Sequence, residues 1–332
     1  MTDAGCPPTQ IPISLADFVL SVIRDLIAYP SSDIRHLKSD ICRLCSVVCF
    51  PMDPFVFAAV LFAAACHAGW NAAVKKGLDP LAGTVVISIG AALVSLPLVP
   101  MFGLPAAPAW PWVAASVLIH LGYFAGLIES YRAGDMGQVY PLARGAAPLL
   151  TATGSAVLIG EQIGALAWTG IVLLAAGVIA MSLRGGRDLG TIDRRAVGFA
   201  LFTAVTICAY SLCDGIGARQ AGSAHAYSVA LFVGIGPVML IYALVRQGPG
   251  VAPRMFDRWP TGLLGGALQL GSYAIAIWAM TVAPIAIVAA LRETSVLFGA
   301  LIAVVILREP LRAVRAGAAV AIVIGLALIR LG

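Results

Sequence analysis

Charge is what this 332-residue chain has least of: Asp, Glu, Lys and Arg make up 11% of it, against 60% hydrophobic residues. A soluble domain carries about 25% charged residues, so this chain lacks the polar side chains to cover a water-facing surface. That excludes an ordinary water-soluble fold. With a mean hydropathy of +0.96, the bilayer is the solvent that suits it. Its seven cysteines are scattered along a long chain, which excludes a disulfide scaffold. Cys66, Cys208 and Cys213 lie in apolar stretches, where a thiol acts as a small hydrophobe. Cys42, Cys45 and Cys49 are close enough for a metal clip but have no fourth ligand in view. No metal and no cofactor is therefore expected. Also missing are Gly-x-Ser-x-Gly, His-Glu-x-x-His and any pair of Asp within an apolar run, so enzymatic chemistry has no support.

What the chain does have is apolar runs of about 20 residues, the length that crosses hydrocarbon as a helix. They fall at 54–74, 81–101, 111–131, 138–159, 164–183, 196–213, 226–245, 261–281, 285–306 and 312–331. The breaks carry helix-stop chemistry, as in Gly77-Leu78-Asp79-Pro80 and Gly248-Pro249-Gly250. Trp110, Trp112, Trp168 and Trp259 stand near run ends, where indole favours the headgroup zone. The runs are continuously apolar rather than alternating, which predicts helices and not a barrel. Residues 1–51 differ, with Asp17, Arg24 and Asp25 interrupting their one apolar stretch. Two readings exist for them: a disordered or untranslated extension ahead of Met52, which is the favoured one, or an amphipathic surface helix.

The two halves match at fixed offsets. An offset of 140 places Trp70 on Tyr210, Asn71 on Ser211 and Pro97 on Pro237; one of 148 places Arg144 on Arg292, Glu161 on Glu309 and Gly177 on Gly325. Ten runs divide into two fives, over 54–183 and 196–331. An odd number of crossings per half turns the second half upside down. The predicted class is an all-α integral membrane protein, ten transmembrane helices forming two inverted five-helix repeats, with a site near the midplane. Basic residues support the alternation. Thirteen, among them Lys75, Lys76, Arg132, Arg194, Arg195, Arg246 and Arg315, follow odd-numbered runs, whereas only Arg219 and Arg330 stand on the other side of the ten-run body. Positive loops stay cytoplasmic, which places both ends of that body outside.

Arg144, inside the fourth run, and Arg292, inside the ninth, are the leading candidates for function. An Arg at bilayer depth costs at least ~2.5 kcal/mol and needs a partner or a wet cavity. Each is either half of an internal ion pair or a guanidinium that holds a carboxylate or phosphate oxygen of a solute. Pro141 and Pro148 flank Arg144 and bend that helix. His67, Trp70 and Asn71 share one face of the first helix; Tyr123 follows His120 by three residues in the third, and Gln269 and Tyr273 occupy the eighth. Together with Tyr140 they are predicted to line a cavity, though each alone is as readily an interhelical hydrogen-bonding group. Glu129, Glu293 and Asp214 are candidate proton-coupling groups, and each could equally be a counter-ion to Arg or a membrane-interface residue. Gly317, Ala321 and Gly325 form a small-residue stripe for close packing.

The stretch Tyr131-Arg132-Ala133-Gly134-Asp135, then Val139-Tyr140-Pro141-Leu142-Ala143-Arg144-Gly145, Pro148-Leu149-Leu150 and Gly160-Glu161 resembles the EamA domain of the drug/metabolite transporter superfamily. His67, Trp70, Asn71 and Lys75 resemble the opening helix of that domain. The second half looks like a more diverged copy, keeping Arg292 and Glu309 but replacing Tyr140 and Pro141 with Val288 and Ala289. The resemblance implies ten helices in two inverted repeats, a central cavity and secondary transport or export of a small metabolite by alternating access. Family members are commonly drawn with both ends cytoplasmic, opposite to the charge count here. A flippase for an amphiphilic substrate and a non-transporting receptor or structural protein are the rival expectations. The expected partners are a small-molecule substrate and the lipid bilayer, with no nucleic acid, in a monomer or homodimer of the cytoplasmic (inner or plasma) membrane.

Overall fold

The computed structural model describes residues 52–74, 80–133, 136–181, 193–250, 258–305 and 313–332, all within the compact unit Phe50–Gly332. The expectations for residues 1–51, including their cysteines, fall outside that range, as does Glu309. Every described element is a helix or helical turn. They are α1 Pro54–Val74, α2 Pro80–Ser95, α3 Trp110–Ala133, α4 Met136–Gly154, α5 Ala165–Met181, α6 Arg194–Gln220, α7 Ala224–Gln247, α8 Trp259–Val282, α9 Ile285–Arg292, α10 Ser295–Val305 and α11 Ala313–Leu331. Seven helical stretches are long and apolar enough to cross a membrane, and Pro54–Gly69 and Ala165–Met181 are shorter apolar helices. The protein is an all-helical integral membrane protein.

Starts and stops follow local chemistry. Asp53 Oδ1 accepts from the amides of Phe55 (2.7 Å) and Val56 (3.2 Å) to cap α1. Asp193 caps α6 through Arg195 N, and Ser223 caps α7 through Ala226 N. Beyond α4 a π-helical turn, Ser155–Ile159, closes on Gly160, whose φ of 76° suits a residue without a Cβ.

Two departures from expectation concern the paired arginine helices. The fourth run, with Pro141 and Pro148 inside it, stays one continuous helix, α4. The ninth run, with no proline in its middle, breaks. Arg292 ends the eight-residue α9, Glu293 and Thr294 form a turn, and α10 restarts at Ser295. Thr294 Oγ1 donates to Leu291 O at 2.7 Å, satisfying one of the carbonyls that the break frees. Irregular backbone at this depth is tolerated where it is buried in protein or borders a cavity, and Arg292, Glu293, Thr294 and Ser295 are all buried.

The core is made by helices far apart in sequence. α1 and α2 pack on α8, α3 and α4 on α6, α2 on α7, and α5 on α11. Each pairing recurs when helices are exchanged five runs apart: α3 with α6 exchanges into α8 with α1, and α4 with α6 into α9 and α10 with α1. Backbones meet closely at two of these crossings. A Cβ on Gly90 of α2 would lie 2.0 Å from the carbonyl oxygen of Gly262 in α8, and one on Gly325 of α11 2.8 Å from that of Gly170 in α5. Of the small-residue stripe, Gly325 is used in this way, while Gly317 faces open space. Ser272 Oγ donates to Ala63 O at 2.8 Å, tying α8 to α1.

Candidate functional site

Six helices aim polar and aromatic side chains at one interior cavity. His67 comes from α1, His120, Tyr123 and Phe124 from α3, Tyr210 from α6, Phe232 from α7, Gln269 and Tyr273 from α8, and Arg292 from the end of α9. Helical spacing puts His120, Tyr123 and Phe124 on one face of α3, and Gln269 and Tyr273 on one face of α8. The space they enclose is about 30 Å³, room for one or two waters. A site that buries a metabolite has roughly ten times that volume or more.

The rings form a tight cluster. His120 stacks on Tyr210 with centroids 4.3 Å apart, and Tyr273 meets Tyr210 edge-on at 5.8 Å and Phe232 at 6.1 Å. His120 Nδ1 lies 2.9 Å from the Ser116 carbonyl oxygen. The same nitrogen lies 3.1 Å from the Ser116 hydroxyl oxygen.

Four charged side chains lie within or beside this cluster, and they are handled differently. Arg144 Nε approaches Glu293 Oε2 to 2.7 Å, with both side chains almost wholly buried. The N–H does not point at that oxygen, so the contact is an ion pair rather than a linear hydrogen bond. Arg144 also donates to Ser295 Oγ at 3.3 Å, and its guanidinium lies 5.8 Å from the Tyr140 ring centre. Asp214 is fully buried and accepts from the Tyr227 hydroxyl at 2.9 Å and from the Tyr273 hydroxyl. Arg292 is 6% exposed and sits over the Tyr273 ring, 4.5 Å from its centre. Among the described residues no carboxylate lies within 4.0 Å of its guanidinium.

The expected site residues therefore separate. His67, Tyr123, Gln269, Tyr273 and Arg292 line the cavity. Arg144 and Glu293 form the adjoining buried pair, outside the lining, and half-buried Tyr140 lies beside Arg144. Asp214 stands behind Tyr273. Asn71 does not line the cavity; its amide donates to the His67 carbonyl at 2.8 Å. Trp70 lies on α1, but its side chain is outside the described set. Glu129 is elsewhere: at the end of α3 it binds Arg132 at 3.0 Å and Arg246 of α7 at 2.7 Å, where both arginines are exposed. There it serves as a counter-ion to arginine, one of the roles open to it from the sequence. Reading the sequence missed Tyr210, Phe124 and Phe232. Tyr210 had a signal, as the repeat partner of Trp70. The two phenylalanines had none in so apolar a chain.

A second polar knot escaped notice as well. Arg219, at the end of α6, donates to Glu161 Oε1 at 2.8 Å, to Met280 O at 3.0 Å and to Ala283 O at 3.3 Å. The same Glu161 accepts from Ile285 N at 3.0 Å and from Ala286 N at 3.4 Å, at the start of α9. One ion pair thus closes the C-terminal end of α8 and the N-terminal end of α9 together.

Residues 194–331 match the profile of the EamA-like transporter family. The match falls on the half expected to be the more diverged copy. No curated protein matches the chain. Among solved structures, 28 chains match. One, named only as the crystal structure of a protein, superposes with a TM-score of 0.62 at 16% identity, covering 82% of this chain and 94% of its own. That similarity is one of fold.

Proposed function

We propose, from the match of residues 194–331 to the EamA-like transporter family and from the site, that this protein is a secondary carrier, an exporter of a small organic metabolite, working by alternating access around the cavity at Arg292. The observation that carries the reading is a buried guanidinium lining an enclosed space at a helix break. An Arg at this depth is costly unless something compensates it, and discontinuous helices are where carriers place their solute sites. The pairing of helices across the chain, with its exchange relation, supports two inverted five-helix repeats. Motion of one against the other would enlarge the cavity from either side. The polar contacts at opposite ends of the bundle, Arg219 with Glu161 and Arg246 with Glu129, suit closures of the two faces. Arginine and lysine placement supports the Arg246 face as cytoplasmic, in a cytoplasmic membrane.

The test is purified protein, screened for thermal stabilisation by amino acids, nucleosides, sugars and organic anions, then reconstituted in liposomes for flux of whatever stabilises it. A stabilising solute whose flux disappears in Arg292→Ala is the expected result. Absence of any stabilising or transported solute, with scrambling of a labelled lipid instead, would replace the carrier reading with a flippase.

A further inference from the structure

The geometry points to a specific class of solute for this cavity: a flat, small organic monoanion whose carboxylate is held by Arg292 and whose far end offers a hydrogen-bond donor to Gln269. The inference rests on the carrier reading for the idea that a solute occupies this space, and goes beyond it by naming the chemistry.

Charge allocation leads the argument. By composition the buried charges balance, Arg144 and Arg292 against Glu293 and Asp214, which by itself says nothing about the solute. Geometry removes that symmetry. Glu293 is committed to Arg144 at 2.7 Å. Both carboxylate oxygens of Asp214 are occupied by the hydroxyls of Tyr227 and Tyr273, so the Tyr273 side chain stands between Asp214 and Arg292. Arg292 has no carboxylate within 4.0 Å among the described residues and rests on the face of that ring, 4.5 Å from its centre. A cation–π contact supplies only part of what a carboxylate does. An anionic solute would give the fork of N–H donors the planar, two-oxygen partner that it fits. A cationic solute would meet a guanidinium with no carboxylate in contact, and a neutral polyol would leave it without one while setting hydroxyls against rings.

The second polar anchor is Gln269. Its Oε1 is buried with no hydrogen-bond partner among the described residues, and it lines the same cavity as Arg292. An unpartnered buried acceptor costs about 1–3 kcal/mol, a cost that a solute N–H or O–H would remove. Between these anchors the walls are the rings of His120, Tyr123, Phe124, Tyr210 and Phe232, which favour an aromatic or otherwise planar body. The break between α9 and α10 adjoins the site, so Arg292 reaches it from a helix end.

Four compounds with related bodies test this by thermal unfolding in detergent at pH 7.5: 4-hydroxybenzoate, benzoate, 4-hydroxybenzylamine and 4-hydroxybenzyl alcohol. The expected result is stabilisation by several degrees with 4-hydroxybenzoate, less with benzoate, and none with the amine or the alcohol. Arg292→Gln should lose the response, Arg292→Lys should retain part of it, and Gln269→Leu should bring 4-hydroxybenzoate down to the level of benzoate. Unliganded midpoints of the variants show that they fold. If the amine or the alcohol stabilises as well as the acid, or if the acid still acts in Arg292→Gln and Arg292→Lys alike, the inference is overturned. Liposome flux separates the two levels. An amine carried in an Arg292-dependent way keeps the carrier and removes the anion class. An acid that binds but is never carried keeps the anion site and removes the carrier.

Discussion

The two buried arginines are chemically alike and differently employed. Arg144 is half of a buried ion pair, and removing one partner of such a pair costs about 3–5 kcal/mol because the other charge is left alone. Arg144→Ala is therefore expected to lower thermal stability sharply. Arg144→Ala combined with Glu293→Ala should recover much of the loss, as a double-mutant cycle in detergent would reveal. Arg292→Ala is expected to behave in the opposite manner, with little loss of stability and loss of flux. Equal destabilisation by both would mean that Arg292 is a structural charge too. Asp214 gives a third test. Asp214→Leu leaves the hydroxyls of Tyr227 and Tyr273 without their acceptor, costing about 1–3 kcal/mol for each one orphaned. Asp214→Asn retains a hydrogen-bonding group and should cost distinctly less in the same unfolding measurement.

At the scale of elements, close backbone approach and a broken helix do most to shape the site. α2 and α8 touch through Gly90, Gly262 and Gly266, where a Cβ at Gly266 would sit 2.2 Å from the amide nitrogen of Ala91. Gly90→Ala is expected to cost at least the ~1–3 kcal/mol typical of overpacking, since backbone, not a mobile side chain, stands in the way. Gly317→Ala, pointing into open space, should be close to neutral in the same assay. Prolines misled as a guide to where the backbone breaks. Pro141 and Pro148 sit in a helix that α5 and α6 support, so it stays continuous. The ninth run instead stops at Arg292-Glu293, with Glu293 paired to Arg144 and Arg292 at the cavity.

At the scale of the whole molecule, polar contacts clamp the two ends of the bundle around a nearly filled interior. Glu161 and Arg219 hold the ends of α8 and α9 together. Replacing both with Ala frees the amides of Ile285 and Ala286 and the carbonyls of Met280 and Ala283. A cysteine placed at Gln269 is expected to react faster with a membrane-impermeant thiol reagent in that background. Unchanged reactivity would mean that the clamp does not gate this face.

The amino-acid sequence by itself determined the solvent, the helical class and the approximate span boundaries, because scarcity of charge and runs near 20 residues leave few other solutions in a bilayer. It also carried Arg144 and Arg292 as buried arginines and part of the aromatic lining, through helical spacing. Only the tertiary structure decided which arginine is neutralised, that Glu129 belongs to an exposed end, that Glu161 joins Arg219, and which helix breaks. Those outcomes depend on side chains that lie from 58 to 151 positions apart in the chain and meet only when helices from its two halves pack together. One-dimensional periodicity registers the face of a helix, not the neighbour that the face will find.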